Sequence, residues 1–446
     1  MRIVLCTDTV ADVNGVSRFV ADLLLAAGEA GEQLVVVSST RKQPHFAAAG
    51  QWQNVPPAIA FALPGYRLLD VAVPSPRALG RALDAEQPDV VHISTPGPVG
   101  VLARQWALRR GVPLVGTYHT NFPQYAKAIY GSGVLARGAA AFTAWFYRPF
   151  ARLLFRSKAS HEQHLGTKLA LDSRGRSRTA VLPPGTRMCP VGQPSVAALC
   201  TGAVPAWIAA RAELAPLACA ITSGRAVLLS VGRLSREKNL EFLIDVMQQL
   251  VGTAQQALLQ QSPLEQAPLL VIAGDGPARQ ALERCAMRTL GKRGARENVC
   301  FCGFVGDSAL ADLYRVGSVL LFASQTDTLG QVVMEAQAMG VTPMISPRGP
   351  VELLQPVLGV DELLMSGDQN PSDPACGVVV PKLDAHAWAQ AVGLVLSARQ
   401  RCAARGTTGD RLARCWPFSR TFDAFWVEHR KVLDEHPRAR SCVKST

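Results

Sequence analysis

Two carboxylates, Asp327 and Glu335, stand eight positions apart in Ser324-Gln-Thr-Asp-Thr-Leu-Gly-Gln-Val-Val-Met-Glu335-Ala336. Ahead of them, Ser318-Val-Leu-Leu-Phe-Ala323 has the composition of a buried parallel strand. Behind Asp327, Val332, Val333, Ala336 and Met339 recur at helical spacing until Gly340. The pair therefore brackets a strand-to-helix turn, with Glu335 about one helical turn inside. Eight helical steps would span about 12 Å, and the turn shortens that to a distance comparable to the sugar-to-ribose separation of a sugar nucleotide. Amides around Thr328, Leu329 and Gly330 open the helix between the carboxylates, where a diphosphate would meet donors. Spacing alone also fits a plainer reading, with Asp327 as a helix cap and Glu335 as a solvated helix residue.

Other segments carry complementary chemistry. Leu228-Leu-Ser-Val-Gly-Arg233-Leu-Ser-Arg-Glu-Lys238-Asn-Leu sets a rigid guanidinium and a flexible ammonium just beyond a strand, a pairing suited to adjacent phosphates or else a solvated basic turn. In Leu270-Val-Ile-Ala-Gly274-Asp-Gly276-Pro the glycines would let the backbone approach a ligand closely, but the third glycine of a dinucleotide fingerprint is missing. Phe304 in Gly303-Phe-Val305 would flank a nucleobase or sit in the core. Near the start, Asp12-Val-Asn14-Gly15-Val-Ser17-Arg18 opens a helix after a strand, an anion-binding arrangement if its amides point outward. His119 follows the strand Pro113-Leu-Val-Gly-Thr-Tyr118, where a lone histidine is as a rule structural.

The elements that must position these residues alternate along the chain. Ile3–Thr7, Leu34–Ser38, Val90–Ser94 and Leu114–Thr117 read as strands, with helices such as Val16–Ala27 and Val99–Arg110 between them. A proline-rich stretch, residues 189–224, separates this set from a second one: Val227–Val231, Leu269–Ala273, Val299–Gly303, Val319–Ala323 and Thr342–Ser346. The fold class is therefore α/β, two Rossmann-like doubly wound domains facing across a cleft. We assign residues 1–200 to a first domain, 201–415 to a second, and 416–446 to a helix crossing back to the first domain plus a basic tail.

The 446 residues are 48% apolar and 18% charged, which describes a globular chain and excludes a disordered one. No apolar run is long enough to span a bilayer or to serve as a signal peptide. Eleven cysteines without zinc spacing suit the cytoplasm. The net charge of +12 is uneven: residues 1–200 hold 21 basic and 11 acidic side chains, giving +10, and the remainder 25 and 23, giving +2. That asymmetry points to an anionic partner for the first half. Arg148, Arg152 and Arg156, four apart among aromatics and leucines, suggest a basic amphipathic helix on an anionic membrane surface, or one with a solvated stripe. No nucleic-acid module is recognisable.

In this order Gly-Arg-x-x-x-x-Lys-Asn, Ala-Gly-x-Gly-Pro, Gly-Phe and the two spaced carboxylates resemble the donor domain of retaining GT-B glycosyltransferases of the family-four type. The string Tyr118-His-Thr-Asn121-Phe-Pro-Gln-Tyr125 resembles lipid-directed members, the mannosyl- and sulfoquinovosyl-transferases. The resemblance spans roughly residues 1–187 and 226–435. It implies transfer of a hexose from a UDP- or GDP-sugar to a hydroxyl of a lipid or lipid-linked acceptor, with retention, no cofactor and no essential metal. It implies that Arg233 and Lys238 hold the diphosphate, Glu335 the ribose, and Asp327 with residues 328–330 the sugar. Asn14, Gly15, Gly276 and Phe304 would complete the donor site; His119 would reach the sugar from the first domain, with Tyr118 and Asn121 on the acceptor side. The chain departs from the pattern with Asp327 where most members have Glu, Leu329 where Phe is common, and Gly185-Thr-Arg187 for the usual Gly-Val-Asp. An epimerase or hydrolase of sugar nucleotides, a transferase to soluble saccharides, and a non-enzymatic surface-binding protein are the other classes open to such a sequence.

Overall fold

The structure, a computed structural model, describes residues 1–12, 14–44, 51–63, 66–119, 123, 133–167, 169–172, 175–188, 203–259, 266–327, 329–354, 358–359, 377–404 and 416–436. Its contacts gather into two compact units: Met1–Gly185 with Pro417–Thr446, and Thr186–Trp416. The change of unit comes at residue 185, earlier than the composition-based boundary at 200.

Unit 1 is built on β1 (Arg2–Thr7), β2 (Gln33–Ser38), β3 (Trp52–Asn54), β6 (Val90–Ile93), β7 (Leu114–Tyr118), β8 (Arg152–Phe155) and β9 (Thr179–Val181); β4 (Pro57–Leu63) and β5 (Tyr66–Pro74) form a separate antiparallel pair. The seven-stranded sheet runs β3-β2-β1-β6-β7-β8-β9, all parallel. Its strands are apolar on both faces because helices cover both. On one face α1 (Gly15–Ala30) packs, together with the C-terminal helix Phe418–Glu435, around Phe19, Leu23 and Phe425. On the other lie α2 (Pro76–Glu86), α3 (Pro98–Arg110) and α4 (Gly133–Tyr147), around Leu83, Ala103 and Phe146. A short α5 (Lys158–His164) follows β8.

The C-terminal helix is fastened to the sheet by a buried polar chain. His429 Nδ1 donates to the Phe425 carbonyl at 2.6 Å, so its Nε2 accepts from His92 Nδ1 at 3.0 Å. His92 Nε2 then accepts from the Thr117 hydroxyl at 3.0 Å. Both rings are fully buried and need to be neutral for this relay. His92 thus does structural work, tying the C-terminal helix to β6 and β7.

Unit 2 holds β10 (Val227–Val231), β11 (Leu269–Ala273), β12 (Val299–Gly303), β13 (Val319–Phe322), β14 (Thr342–Ile345), β15 (Leu358–Gly359) and β16 (Val378–Val379). The order is β12-β11-β10-β13-β14-β16-β15, again parallel. Helices α6 (Ala215–Thr222), α7 (Leu240–Leu259), α8 (Arg279–Asn298), α9 (Asp307–Val316), α10 (Gln331–Ala338) and α11 (Ala385–Ala404) cover it, and the C-terminal helix becomes α12. Two apolar layers result, one around Ile244, Leu282 and Trp388, the other around Leu217, Tyr314 and Met334.

Both sheets reverse direction beside their first strand, between β1 and β6 and between β10 and β13. In open α/β sheets the crevice outside the carboxyl ends of such strands is where ligands bind.

Candidate active site

In unit 2 the loops after β10 and β13 flank that crossover, and they meet through a charged pair. Lys238, on the single turn Arg236–Lys238, places Nζ 2.6 and 2.7 Å from the two oxygens of Asp327. The partners lie 89 residues apart in sequence and are 22% and 25% exposed. Ser324 braces the loops by donating to the Glu237 carbonyl at 3.4 Å, and Ser346 in turn donates to the Ser324 carbonyl at 2.6 Å. Beside the pair is a small recess lined by Ser230, Gly232, Arg233, Lys238, Phe322 and Ser324. Arg233 and Lys238 both line it.

The glycines of the neighbouring loop serve a different close approach from the one expected. A Cβ on Gly274 would fall 1.9 Å from the Gly232 carbonyl oxygen, and one on Gly276 would fall 2.2 Å from that of Leu234. Gly232 and Gly274 also hold φ of 141° and 136°, which L side chains rarely adopt. Leu234 N–H donates to the Asp275 carbonyl at 3.0 Å, and Gly274 N–H to that of Gly303 at 2.7 Å. The loops after β10, β11 and β12 are therefore stacked backbone on backbone, which fixes where Arg233 starts.

Gly330 opens α10 at φ 71°, with its Cβ position blocked by Pro350 at 2.4 Å, and no side chain caps this helix. Leu329 leans on the apolar layer, while Thr328 lies outside the described residues. Glu335 is not the solvated residue of the plainer reading. It is 3% exposed and accepts from the Tyr314 hydroxyl at 3.1 Å, a partner that the expected ribose role did not foresee. Phe304 is 46% exposed, so it belongs to the surface rather than the core.

Unit 1 corrects several expectations. Asn14 caps α1: its Oδ1 accepts from the Val16 and Ser17 amides at 2.9 Å, and Ser17 completes a capping box. Its side chain and those two amides are thereby engaged, and the outward-facing anion site reduces to the region of exposed Gly15, whose Cβ position meets nothing within 4 Å. Tyr118 does not face an acceptor. It is 1% exposed, packed on Tyr147, Phe155 and His164, because the even-numbered residues of β7 turn to the α4 side. Asn121 lies outside the described residues.

The basic helix over residues 145–158 does not form. α4 ends at Tyr147, and Arg178 donates through Nη1 to the carbonyls of Tyr147, Arg148 and Phe150, which a continuing helix would have used. Arg152–Phe155 becomes β8, since Leu153, Leu154 and Phe155 are buried between β7 and β9. Arg152 pairs with Glu428 and Glu435 of α12, and Arg156 is 3% exposed with its guanidinium 3.9 Å over the Phe19 ring. Arg148 alone stays exposed.

His119 is placed at the carboxyl end of β7, with Nε2 3.0 Å from the Ser94 hydroxyl and its ring edge-on to Phe19 at 5.3 Å. Burial, and then the nearby Arg156 charge, hold it well below the usual histidine range, so the ring is neutral. Burial likewise pulls the Arg156 guanidinium down to about 9, opposed by Asp22.

Residues 13–185 match the model of Glycosyltransferase Family 4, and residues 225–398 that of Glycosyl transferases group 1. The chain is a glycosyltransferase. Among its relatives, a GDP-mannose-dependent alpha-mannosyltransferase of Mycobacterium tuberculosis is 29% identical, covering 77% of this chain and 78% of that one. The alpha-monoglucosyldiacylglycerol synthase of Streptococcus pneumoniae is 26% identical, covering 78% and 72%. A sucrose-phosphate synthase structure from Thermosynechococcus elongatus superposes with a TM-score of 0.65 at 17% identity, covering 98% of this chain and all of that one. That likeness speaks to the fold, two Rossmann-like sheets of the GT-B class.

Two features of this glycosyltransferase escaped sequence reasoning. Ser94, Phe19 and Arg156 surround His119 from three separate elements, and only the fold joins them. Asp8, directly after β1, accepts from the Thr95 hydroxyl and the Val99 amide at 2.8 Å. Burial pushes its carboxyl up to about 6 although these bonds oppose it. A carboxylate ending the first strand was the signal available, and it was not used.

Proposed function

We propose that this enzyme moves a hexose, with retention, from a UDP- or GDP-sugar to a hydroxyl of a lipid or lipid-linked acceptor. The observation that carries this is the meeting of Arg233, Lys238 and Asp327 at the unit 2 crossover. There the leaving diphosphate gains two cations and the uncapped start of α10, a preorganised environment for charge that develops as the glycosidic bond breaks. Asp327 and the Leu329–Gly330 backbone take the sugar, and Glu335, with Tyr314 behind it, takes the ribose. Asp327, the carboxylate nearest the sugar in this reading, is held in an ion pair by Lys238 and is not given the role of covalent nucleophile, so the acceptor attacks from the face the diphosphate leaves. Neutral His119 serves as a hydrogen-bonding partner of the sugar rather than a charge. The cations supply the electrostatics, so no metal or cofactor is required.

The lipid acceptor rests on the relatives and on one surface of unit 1. α4 exposes Val134, Leu135, Phe142 and Trp145 at 68, 51, 41 and 47% along one side, with exposed Arg137 and Arg148 and no acidic residue in the helix. Such a face suits the interface of an anionic bilayer. Among the described residues no helix is long and apolar enough to cross a membrane, and we place the enzyme on its cytoplasmic surface.

Purified enzyme incubated with UDP- and GDP-hexoses, with and without vesicles of total membrane lipid, and with EDTA throughout one arm, tests all of this. The expected product is a glycolipid of retained anomeric configuration formed equally in EDTA. Donor consumed at the same rate without any acceptor would make the protein a hydrolase or epimerase instead.

A further inference from the structure

The cation and the carboxylate that the donor reading assigns to different ends of one ligand are bonded to each other. Lys238 Nζ sits within 2.7 Å of both Asp327 oxygens, at the edge of the recess the diphosphate would enter. An ammonium has three donors, and here the nearest acceptor is already a full negative charge. The pair is about three-quarters buried, so water screens it less than a surface pair.

We infer that Asp327 is a built-in competitor of the diphosphate for Lys238, and that this competition makes the site favour a sugar nucleotide over the bare nucleoside diphosphate. The inference rests on the donor site proposed above. A diphosphate can engage Lys238 fully only by displacing the Asp327 carboxylate, which must then find other donors. Aspartate has a single methylene of reach, so it turns to whatever lies beside the diphosphate. With a sugar nucleotide those are hexose hydroxyls, and the displaced charge is again hydrogen-bonded. With the bare diphosphate they are missing, and the carboxylate faces a terminal phosphate that carries more negative charge. Re-forming the Lys238–Asp327 pair then helps expel the product. The pairing bridges the loops after β10 and β13, so the exchange takes place at the crossover itself.

Calorimetric titration of the full chain with UDP, GDP, UDP-glucose and GDP-mannose tests the competition. For whichever nucleotide wild type binds, the sugar nucleotide should bind more tightly than the bare diphosphate. Asp327→Asn should bind the bare diphosphate about tenfold more tightly, with a smaller gain or a loss for the sugar nucleotide, so the preference collapses. Asp327→Glu, which keeps the charge, should stay near wild type for the bare diphosphate. In a Lys238→Met background the Asn substitution should yield a severalfold smaller gain, because only direct repulsion is left to relieve. Unchanged or weaker diphosphate binding in a folded Asp327→Asn, or an equal gain in both backgrounds, overturns the competition. Wild type that binds none of the four ligands overturns the donor site itself, and this result is distinct from the first.

Discussion

In unit 1 a carboxylate at the crossover, Asp8 after β1, is turned on the protein itself; in unit 2 a carboxylate on the other side of the corresponding crossover, Asp327 after β13, reaches a lysine beside a recess. Asp8 bonds Thr95 and the first turn of α3, leaving so little room that a Cβ on Gly97 would fall 2.5 Å from its carboxylate. Asn14 does the same for α1. In unit 2, α8 and α10 begin without side-chain caps. One sheet type thus yields two crossovers, one closed by internal hydrogen bonds and one left with amides and cations for an anion. The charge asymmetry of the sequence points the other way, because the excess of basic residues lies in the first half. Local satisfaction of donors, and not net charge, distinguishes the half proposed to bind the anion.

The comparison breaks most sharply at Lys238. Lys238→Ala should lower kcat by roughly 10²–10³-fold, while the melting curve moves little, since a partly exposed ion pair contributes about 1 kcal/mol or less. Turnover at the wild-type level would remove unit 2 from the chemistry. His119→Ala tests the other half. Its neutral ring should matter for positioning, so kcat should fall about 10²-fold while calorimetric affinity for the nucleoside diphosphate stays unchanged. Ser94→Ala, which removes only the ring's partner, should cost about fivefold. A large loss of diphosphate affinity in either variant would blur the division between the units.

The elements themselves were largely legible. Ser318–Ala323 and Leu269–Ala273 are unbroken apolar runs because a parallel strand is buried on both faces, and β13 and β11 lie there. What failed was orientation and partnership. Arg148, Arg152 and Arg156 satisfy helical spacing, but Leu153-Leu154-Phe155 satisfies a buried strand equally well, and the deciding donor, Arg178, is 30 residues from Arg148. Tyr118 and His119 are adjacent in sequence, yet a strand sends neighbours to opposite faces, so one entered the core and the other the carboxyl edge. The Lys238–Asp327 bond was beyond reach, because the sequence supplies both residue types without their distance. Glu335 was legible in position, but its Tyr314 partner comes from a different helix.

The smallest effect concerns how the closed crossover responds to acid. Burial holds His429 down at about 4 and His92 well below its usual range. Between pH 6.5 and 4 the unfolded chain therefore binds protons that these folded rings refuse, and stability falls on acidification by about 1.4 kcal/mol per pH unit for each ring. Asp8 acts in the opposite sense. With its folded value raised to about 6 from 3.8, the folded protein takes up a proton before the unfolded chain does, so stability rises as pH falls through that window. His119, also held well below its usual range, makes a third such ring, so Asp8 should offset about one of three and urea unfolding of wild type should lose about two rings' worth of stability per pH unit between pH 6 and 5. Asp8→Asn removes the offset while keeping an acceptor for Val99, so its loss over the same interval should be about half again as steep. Parallel slopes for the two proteins would mean that Asp8 is ionised in the fold throughout, and its engagement with α3 would then be no barrier to its serving as a charge at the unit 1 crossover.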